Sequence, residues 1–202
     1  MTGGPGAPTG VPLDELVAGL AVDVPDFPTP GVLFRDLTPV FADGPAFRRV
    51  VAGLAGDAAG DDAGDAAGDA AGDGAAGDPG FDVVVGVEAR GFLLAAAVAL
   101  HAGVGVVPVR KAGKLPRERI SADYALEYGT ATIEVHTDSL HAGQRVLLVD
   151  DVLATGGTLA ASVALVEELG AVVTAVSVVV ELGALHGRDR LVPHVVRALW
   201  TV

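Results

Sequence analysis

The chain has 202 residues, half of them apolar, with no cysteine and a formal net charge of −13. This suits one domain with a substantial core, while the lack of cysteine excludes a disulfide framework and a thiolate zinc site and fits a cytoplasmic protein. Only 4% of residues are aromatic, so the core must come from Val, Leu and Ala, and no run reaches the roughly 18–20 apolar residues of a membrane span.

Residues 1–12 carry neither the charged nor the apolar region of a signal peptide and read as a disordered tail before a single domain over 13–202. Residues 55–80 are low-complexity, with Gly at 56, 60, 64, 68 and 72, each followed by Asp. As a helix they would set like charges four residues apart and a glycine in every turn, so a solvated, mobile insertion is expected. Their seven aspartates supply over half of the net charge, and the rest of the chain is ordinarily acidic. The basic groups cluster instead in VRKAGKLPRER (109–119), a patch suited to a small polyanion rather than to a nucleic-acid duplex.

After the insertion, strand-like and helix-like runs alternate. FDVVVGV (81–87) reads as a buried strand, GFLLAAAVALHAG (91–103) as a helix stopped by glycine, and VGVVPV (104–109) as a second strand. Segment 112–128 is long, polar and flanked by Gly113 and Gly129, as a closing lid should be. TATIEVH (130–136) alternates like an antiparallel or edge strand, QRVLLVD (144–150) is another buried strand, TLAASVALVEELG (158–170) a helix, and AVVTAVSVVVEL (171–182) the next strand. Val-rich strands separated by helices predict an α/β fold with a central, mainly parallel sheet, whose ligands bind beyond the strands' carboxyl ends.

At one such end stands VLLVDDVLATGGT (146–158). Its glycine-rich half lies between a strand and a helix amino terminus, where free N–H groups and the helix dipole favour an anion. It is neither a Walker A loop nor a dinucleotide fingerprint. Asp150 and Asp151 suit vicinal ribose hydroxyls or a magnesium ion. A phosphate and hydroxyls a few ångströms apart describe a ribose 5-phosphate. The five histidines, at 101, 136, 141, 186 and 194, have no metal-ligand spacing.

VLLVDDVLATGGT resembles the phosphoribosyl pyrophosphate signature of the type I phosphoribosyltransferases. FPTPGVLFRDLTPVF (27–41), VGVEARGF (85–92) with VPVRKAGKLP (107–116), and YALEYGTATIEVH (124–136) resemble the adenine phosphoribosyltransferases of that family, in order and spacing. The resemblance implies the type I fold with a small amino-terminal hood and a flexible catalytic lid, a homodimer, and adenine plus phosphoribosyl pyrophosphate giving AMP plus pyrophosphate for purine salvage.

Carried over residue by residue, Ala154, Thr155, Gly156, Gly157 and Thr158 hold the 5-phosphate, and Asp150 and Asp151 the ribose hydroxyls. Arg90 and Lys111 meet the pyrophosphate, with Mg2+ bound mainly through the diphosphate and no protein ligand assigned; Lys114 is added to them because it follows the second strand at the ligand edge. Glu127 and Tyr128 join Arg90 in catalysis, the Glu handling an adenine proton and the Tyr shielding the reaction centre. Phe34 stacks on adenine, backbone atoms of Leu33 and Arg35 read its edge, and Leu182 covers the other face. A 6-oxopurine enzyme would place a Lys and an aromatic near the last strand, where VVVELGALHG has neither. The competing classes are a non-catalytic phosphoribosyl pyrophosphate sensor, which would normally add a DNA-binding module, and a transferase for another base.

Overall fold

The computed structural model describes residues 10–56, 78–125 and 130–202. The expected tail up to residue 9, most of the Gly/Ala/Asp insertion, and both Glu127 and Tyr128 lie outside them. Helix α1 (Leu13–Leu20), the antiparallel pair β1 (Val22–Pro25) and β2 (Leu33–Asp36), and helices α2 (Thr38–Ala42) and α3 (Gly44–Ala55) come first. Asp43 caps α3 by accepting from the Ala46 N–H at 2.9 Å, and Gly56 ends it in the left-handed region at φ 92°.

The remaining elements are β3 (Val83–Val87), α4 (Arg90–Ala102), β4 (Gly105–Lys111), β5 (Arg119–Ala125), β6 (Thr130–His136), β7 (Arg145–Leu153), α5 (Gly157–Glu168), β8 (Val172–Glu181) and β9 (Val196–Thr201). Among the described residues seven strands form one sheet in the order β5-β6-β4-β3-β7-β8-β9. The run from β4 to β9 is parallel, whereas β6 pairs antiparallel with both β4 and β5. The expected α/β architecture is present, and TATIEVH is antiparallel as its alternation indicates.

Part of the segment read as a lid forms a strand within the described residues. Arg119–Ala125 is a strand zipped to β6 from Arg119 opposite His136 to Ala125 opposite Thr130. Its polar sequence hides a strand because β5 is the sheet's edge and one face stays wet. Strand β9 also escaped the sequence reading, since VRALWT is half exposed and lacks a clean period of two.

Two apolar layers sandwich the sheet. Side chains alternate along β7: Leu147 and Val149 join α1, α3 and α4, while Val146 and Leu148 join α5 and β6. Helix α4 sits close to β3 at Gly86, where an added Cβ would lie 2.6 Å from Ala95 Cβ and 3.0 Å from the Gly91 carbonyl. That approach fixes the amino terminus of α4, and hence Arg90, against the carboxyl ends of β3 and β7. The insertion joins α3 to the opposite, amino-terminal end of β3.

Candidate active site

The site is assembled where β3, β4 and β7 end. Strand β7 carries Asp150 and Asp151 there, with their carboxylates close enough to interact. Gly91, in the first turn of α4, is pressed on this strand end: a Cβ would stand 2.8 Å from Asp150 Oδ1 and 3.1 Å from the Val149 carbonyl. Only glycine admits this contact, so the ARGF turn requires it sterically. Asp150 lies deep among packed atoms but keeps part of its surface open, and its Oδ1 accepts the Asp151 N–H at 2.9 Å. Burial, and then the neighbouring Asp151 charge, push its carboxyl well above the usual aspartate range, with Arg90 pulling the other way.

Asp151 is 7% exposed, and its Oδ2 lies 2.6 Å from Arg90 Nη2. That contact is an ion pair without hydrogen-bond alignment, so Oδ2 remains a buried acceptor with no hydrogen-bond donor. The Arg90 charge offsets the desolvation of this oxygen, and its hydrogen-bonding capacity stays open to a hydroxyl donor. The Arg90 guanidinium also sits 5.0 Å from the centroid of the Phe34 ring. One side chain thus bridges the acid pair and the amino-terminal hood.

Beyond the acids, Ala154–Thr158 turns into α5. Gly156 adopts the left-handed φ of 78°, no side chain caps the helix, and Gly156 and Gly157 are buried. The first-turn N–H groups and the dipole therefore face the loop without a competing side-chain acceptor, as an anion cradle requires.

Of the cations expected at the pyrophosphate, Lys114 is held by a glutamate that sequence reading did not single out. Glu88, at the end of β3 with a side chain 9% exposed, pairs with Lys114 Nζ and, at 3.4 Å, with Arg110 Nε. It also accepts the Lys111 N–H at 3.0 Å, leaving the Lys111 side chain at the surface. These partners hold the Glu88 carboxyl below its usual range despite the opposing effect of burial. Glu134 on β6 acts similarly, accepting the Gly113 N–H at 3.0 Å and pairing with Arg119 at 3.1 Å. The signal for Glu88 was a charge ending an apolar strand in VGVEARGF; Glu134 sits among strand residues and gave no such cue.

In the hood, Phe34 meets Phe27 edge-to-face at 5.1 Å between centroids, while Leu33 is half exposed. Arg35 turns away, as strand alternation demands: it stacks 4.7 Å from the Trp200 ring centroid and lies 3.5 Å from Asp23. Only its backbone is left near the Phe34 side, in keeping with a backbone role. Leu182 leaves β8 with its N–H on the Leu153 carbonyl at 2.8 Å, its side chain partly buried on the α1–α3–α4 layer. Among the described residues no group of three or more His, Cys, Asp or Glu could cage a metal. The adjacent Asp150 and Asp151 do fit Mg2+, which takes one or two carboxylates and completes its shell with water and substrate phosphates.

Comparison with known proteins converges on these elements. The phosphoribosyl transferase domain model matches residues 44–197. The adenine phosphoribosyltransferase of Salinispora arenicola is 56% identical over 188 residues, covering 93% of this chain and 90% of that protein. A crystal structure of the Thermoanaerobacter pseudethanolicus adenine phosphoribosyltransferase superposes with a TM-score of 0.80 at 42% identity, covering 94% of this chain and 99% of the other. The Saccharomyces cerevisiae enzyme, crystallised with adenine and an imino-altritol bisphosphate, gives 0.77 at 35% identity, covering 93% and 98%. The chain belongs to the phosphoribosyltransferase family, among its adenine phosphoribosyltransferases.

Proposed function

We infer that the chain transfers a 5-phosphoribosyl group from phosphoribosyl pyrophosphate to adenine, giving AMP and pyrophosphate in purine salvage. The observation that carries this reading is the juxtaposition at the sheet edge: two adjacent carboxylates, an uncapped glycine-rich helix start and an arginine shared with an aromatic hood. Adenine N9 attacks the anomeric carbon, the bond to the diphosphate oxygen breaks with its electron pair, and the N9 proton leaves to a base. Because adenine is itself the nucleophile, the protein must position it, neutralise the leaving diphosphate and exclude water.

Ala154, Thr155, Gly156, Gly157 and Thr158 take the 5-phosphate. Asp150 and Asp151 accept from the ribose hydroxyls, a role suited to Asp151 Oδ2, which pairs with Arg90 but accepts no hydrogen bond. Arg90, Lys111 and Lys114 meet the pyrophosphate; Lys114 first exchanges Glu88 for the substrate, while Arg90 already stands beside the sugar acids. Mg2+ supplies charge neutralisation of the diphosphate when bound, held mainly by the substrate. Phe34 and Leu182 sandwich the base with Leu33 and Arg35 offering backbone atoms. Glu127 and Tyr128 keep their assigned proton-handling and shielding roles on the strength of the YALEYG resemblance. The setting is the cytoplasm, in keeping with a chain without cysteine.

The working unit is a homodimer, and α4 with β4 is the face that supports it. Leu93 and Leu100 lie on the outer side of α4, 58% and 84% exposed, and Val106 on β4 is 46% exposed. Two leucines seven residues apart on one helix face make a self-complementary apolar strip suited to a second copy.

Four outcomes check this reading. With Mg2+ and phosphoribosyl pyrophosphate, a spectrophotometric assay yields AMP from adenine and no nucleotide from hypoxanthine, guanine or xanthine; no AMP from adenine would sink it. Asp150→Asn raises KM for phosphoribosyl pyrophosphate far more than KM for adenine, whereas equal increases would contradict the sugar role. Because burial raises the Asp150 pKa in the folded protein, its stability contribution is fullest below pH about 4 and declines as pH rises toward that raised value. Asp150→Asn therefore raises the Tm of the ligand-free protein at pH 7, by about 2–4 °C per kcal/mol recovered, with the difference closing toward pH 4. Finally, light scattering finds a dimer that Leu100→Glu converts to monomer; an unchanged dimer in the variant would place the interface elsewhere.

A further inference from the structure

Between β8 and β9 the chain crosses the phosphate loop in two short 3-10 turns, Gly183–Leu185 and Gly187–Leu191. Glu181 ends β8, 7% exposed, and is gripped by both sides of the Arg188 guanidinium, Nε to Oε1 at 3.0 Å and Nη2 to Oε2. The third nitrogen, Nη1, donates to the Val196 carbonyl at 2.7 Å, so Arg188 ties the turn to the end of one strand and the start of the next. Between these anchors His186 is held in the left-handed region at φ 52°, a conformation non-glycine residues rarely adopt. Leu191 is buried in the same apolar layer as Leu153 and Leu159, which flank the phosphate loop.

Gly187 is where this turn meets the loop. A Cβ there would overlap the Ala154 carbonyl and stand 2.9 Å from the Gly156 N–H nitrogen. A Cβ on Gly156 would in turn overlap the Gly187 carbonyl. The two backbones are therefore in direct contact, and the height of the turn sets the height of the loop.

We propose that the Glu181–Arg188 pair, acting through Gly187, is a positioning device for the sugar-phosphate loop Ala154–Thr158. The pair touches no substrate; it holds the Gly187 backbone as a back wall that keeps Gly156 in its left-handed turn and the N–H groups converged. Bidentate geometry matters here, because a fork fixes direction as well as distance. A wall displaced by an ångström spoils convergence on the phosphate while leaving the base site in place, because Phe34 and Leu33 stand in the hood and Leu182 is fixed separately by its N–H on the Leu153 carbonyl at 2.8 Å. The inference rests on reading Ala154–Thr158 as the phosphate loop.

The test is calorimetric titration of the full chain with ribose 5-phosphate, alongside the KM for adenine at saturating phosphoribosyl pyrophosphate. In Arg188→Gln and Glu181→Gln, ribose 5-phosphate binds about tenfold to a hundredfold more weakly, while the adenine KM stays within about threefold. Arg188→Lys, which keeps the charge without the fork, falls between. Gly187→Ala shows the same selective loss although its ion pair is intact. Equal weakening toward both ligands, ribose 5-phosphate affinity unchanged in Arg188→Gln, or failure of both Arg188→Gln and Gly187→Ala to fold would each overturn the proposal. Wild-type protein that binds no ribose 5-phosphate would overturn the phosphate-loop reading and the proposal with it.

Discussion

The contact of Gly91 with the end of β7 is the constraint on which the site depends. It lets the amino terminus of α4 rest on Asp150 and places Arg90 against Asp151. A larger residue would lift the helix, and with it the cation that links the acids to Phe34. The glycine at 86 extends the same close approach one strand over. Asp150 and Asp151 can then stay side by side, an arrangement that like-charge repulsion and burial both oppose, because a helix start and a guanidinium face them.

The same logic recurs around the site. Glu88 with Lys114 and Arg110, Glu134 with Arg119, and Glu181 with Arg188 are all shielded carboxylates paired with more exposed cations. Such pairs give little net stability, since desolvation offsets their attraction, but they fix direction. Each lies at a point where a loop joins the sheet. These loops are therefore held by acids from below, and their cations remain close to the surface. On the proposed reading, substrate oxygens replace a glutamate at Lys114 without a cation first being drawn out of the core.

Much of this was legible in the sequence because the site's elements are locally encoded. Val-rich runs marked β3, β7 and β8, Gly103 and Gly170 marked helix ends, and VLLVDDVLATGGT marked a strand, a glycine-rich loop and a helix start at the sheet edge. What escaped is non-local. Strand β5 is polar because it is an edge, and β9 is half exposed. The contact between Gly187 and Gly156 joins residues 31 positions apart, and neither glycine's neighbours announce it. Glu181 reads as the polar end of a strand, and its grip on Arg188 depends on how the intervening turns fold. Arg90 could be assigned to the ligand edge, but its simultaneous contact with Asp151 and Phe34 required the three elements to meet.

The division of labour between acids and glycines is tested most directly by a ligand series on the unaltered protein. Calorimetry would compare ribose 5-phosphate, 2-deoxyribose 5-phosphate and ribose. The account predicts that removing the phosphate abolishes measurable binding, and that removing the 2-hydroxyl weakens binding about tenfold or more, since that hydroxyl donates to a charged, shielded acceptor. Equal affinity for the two sugar phosphates would contradict the central claim that Asp150 and Asp151 clamp the ribose.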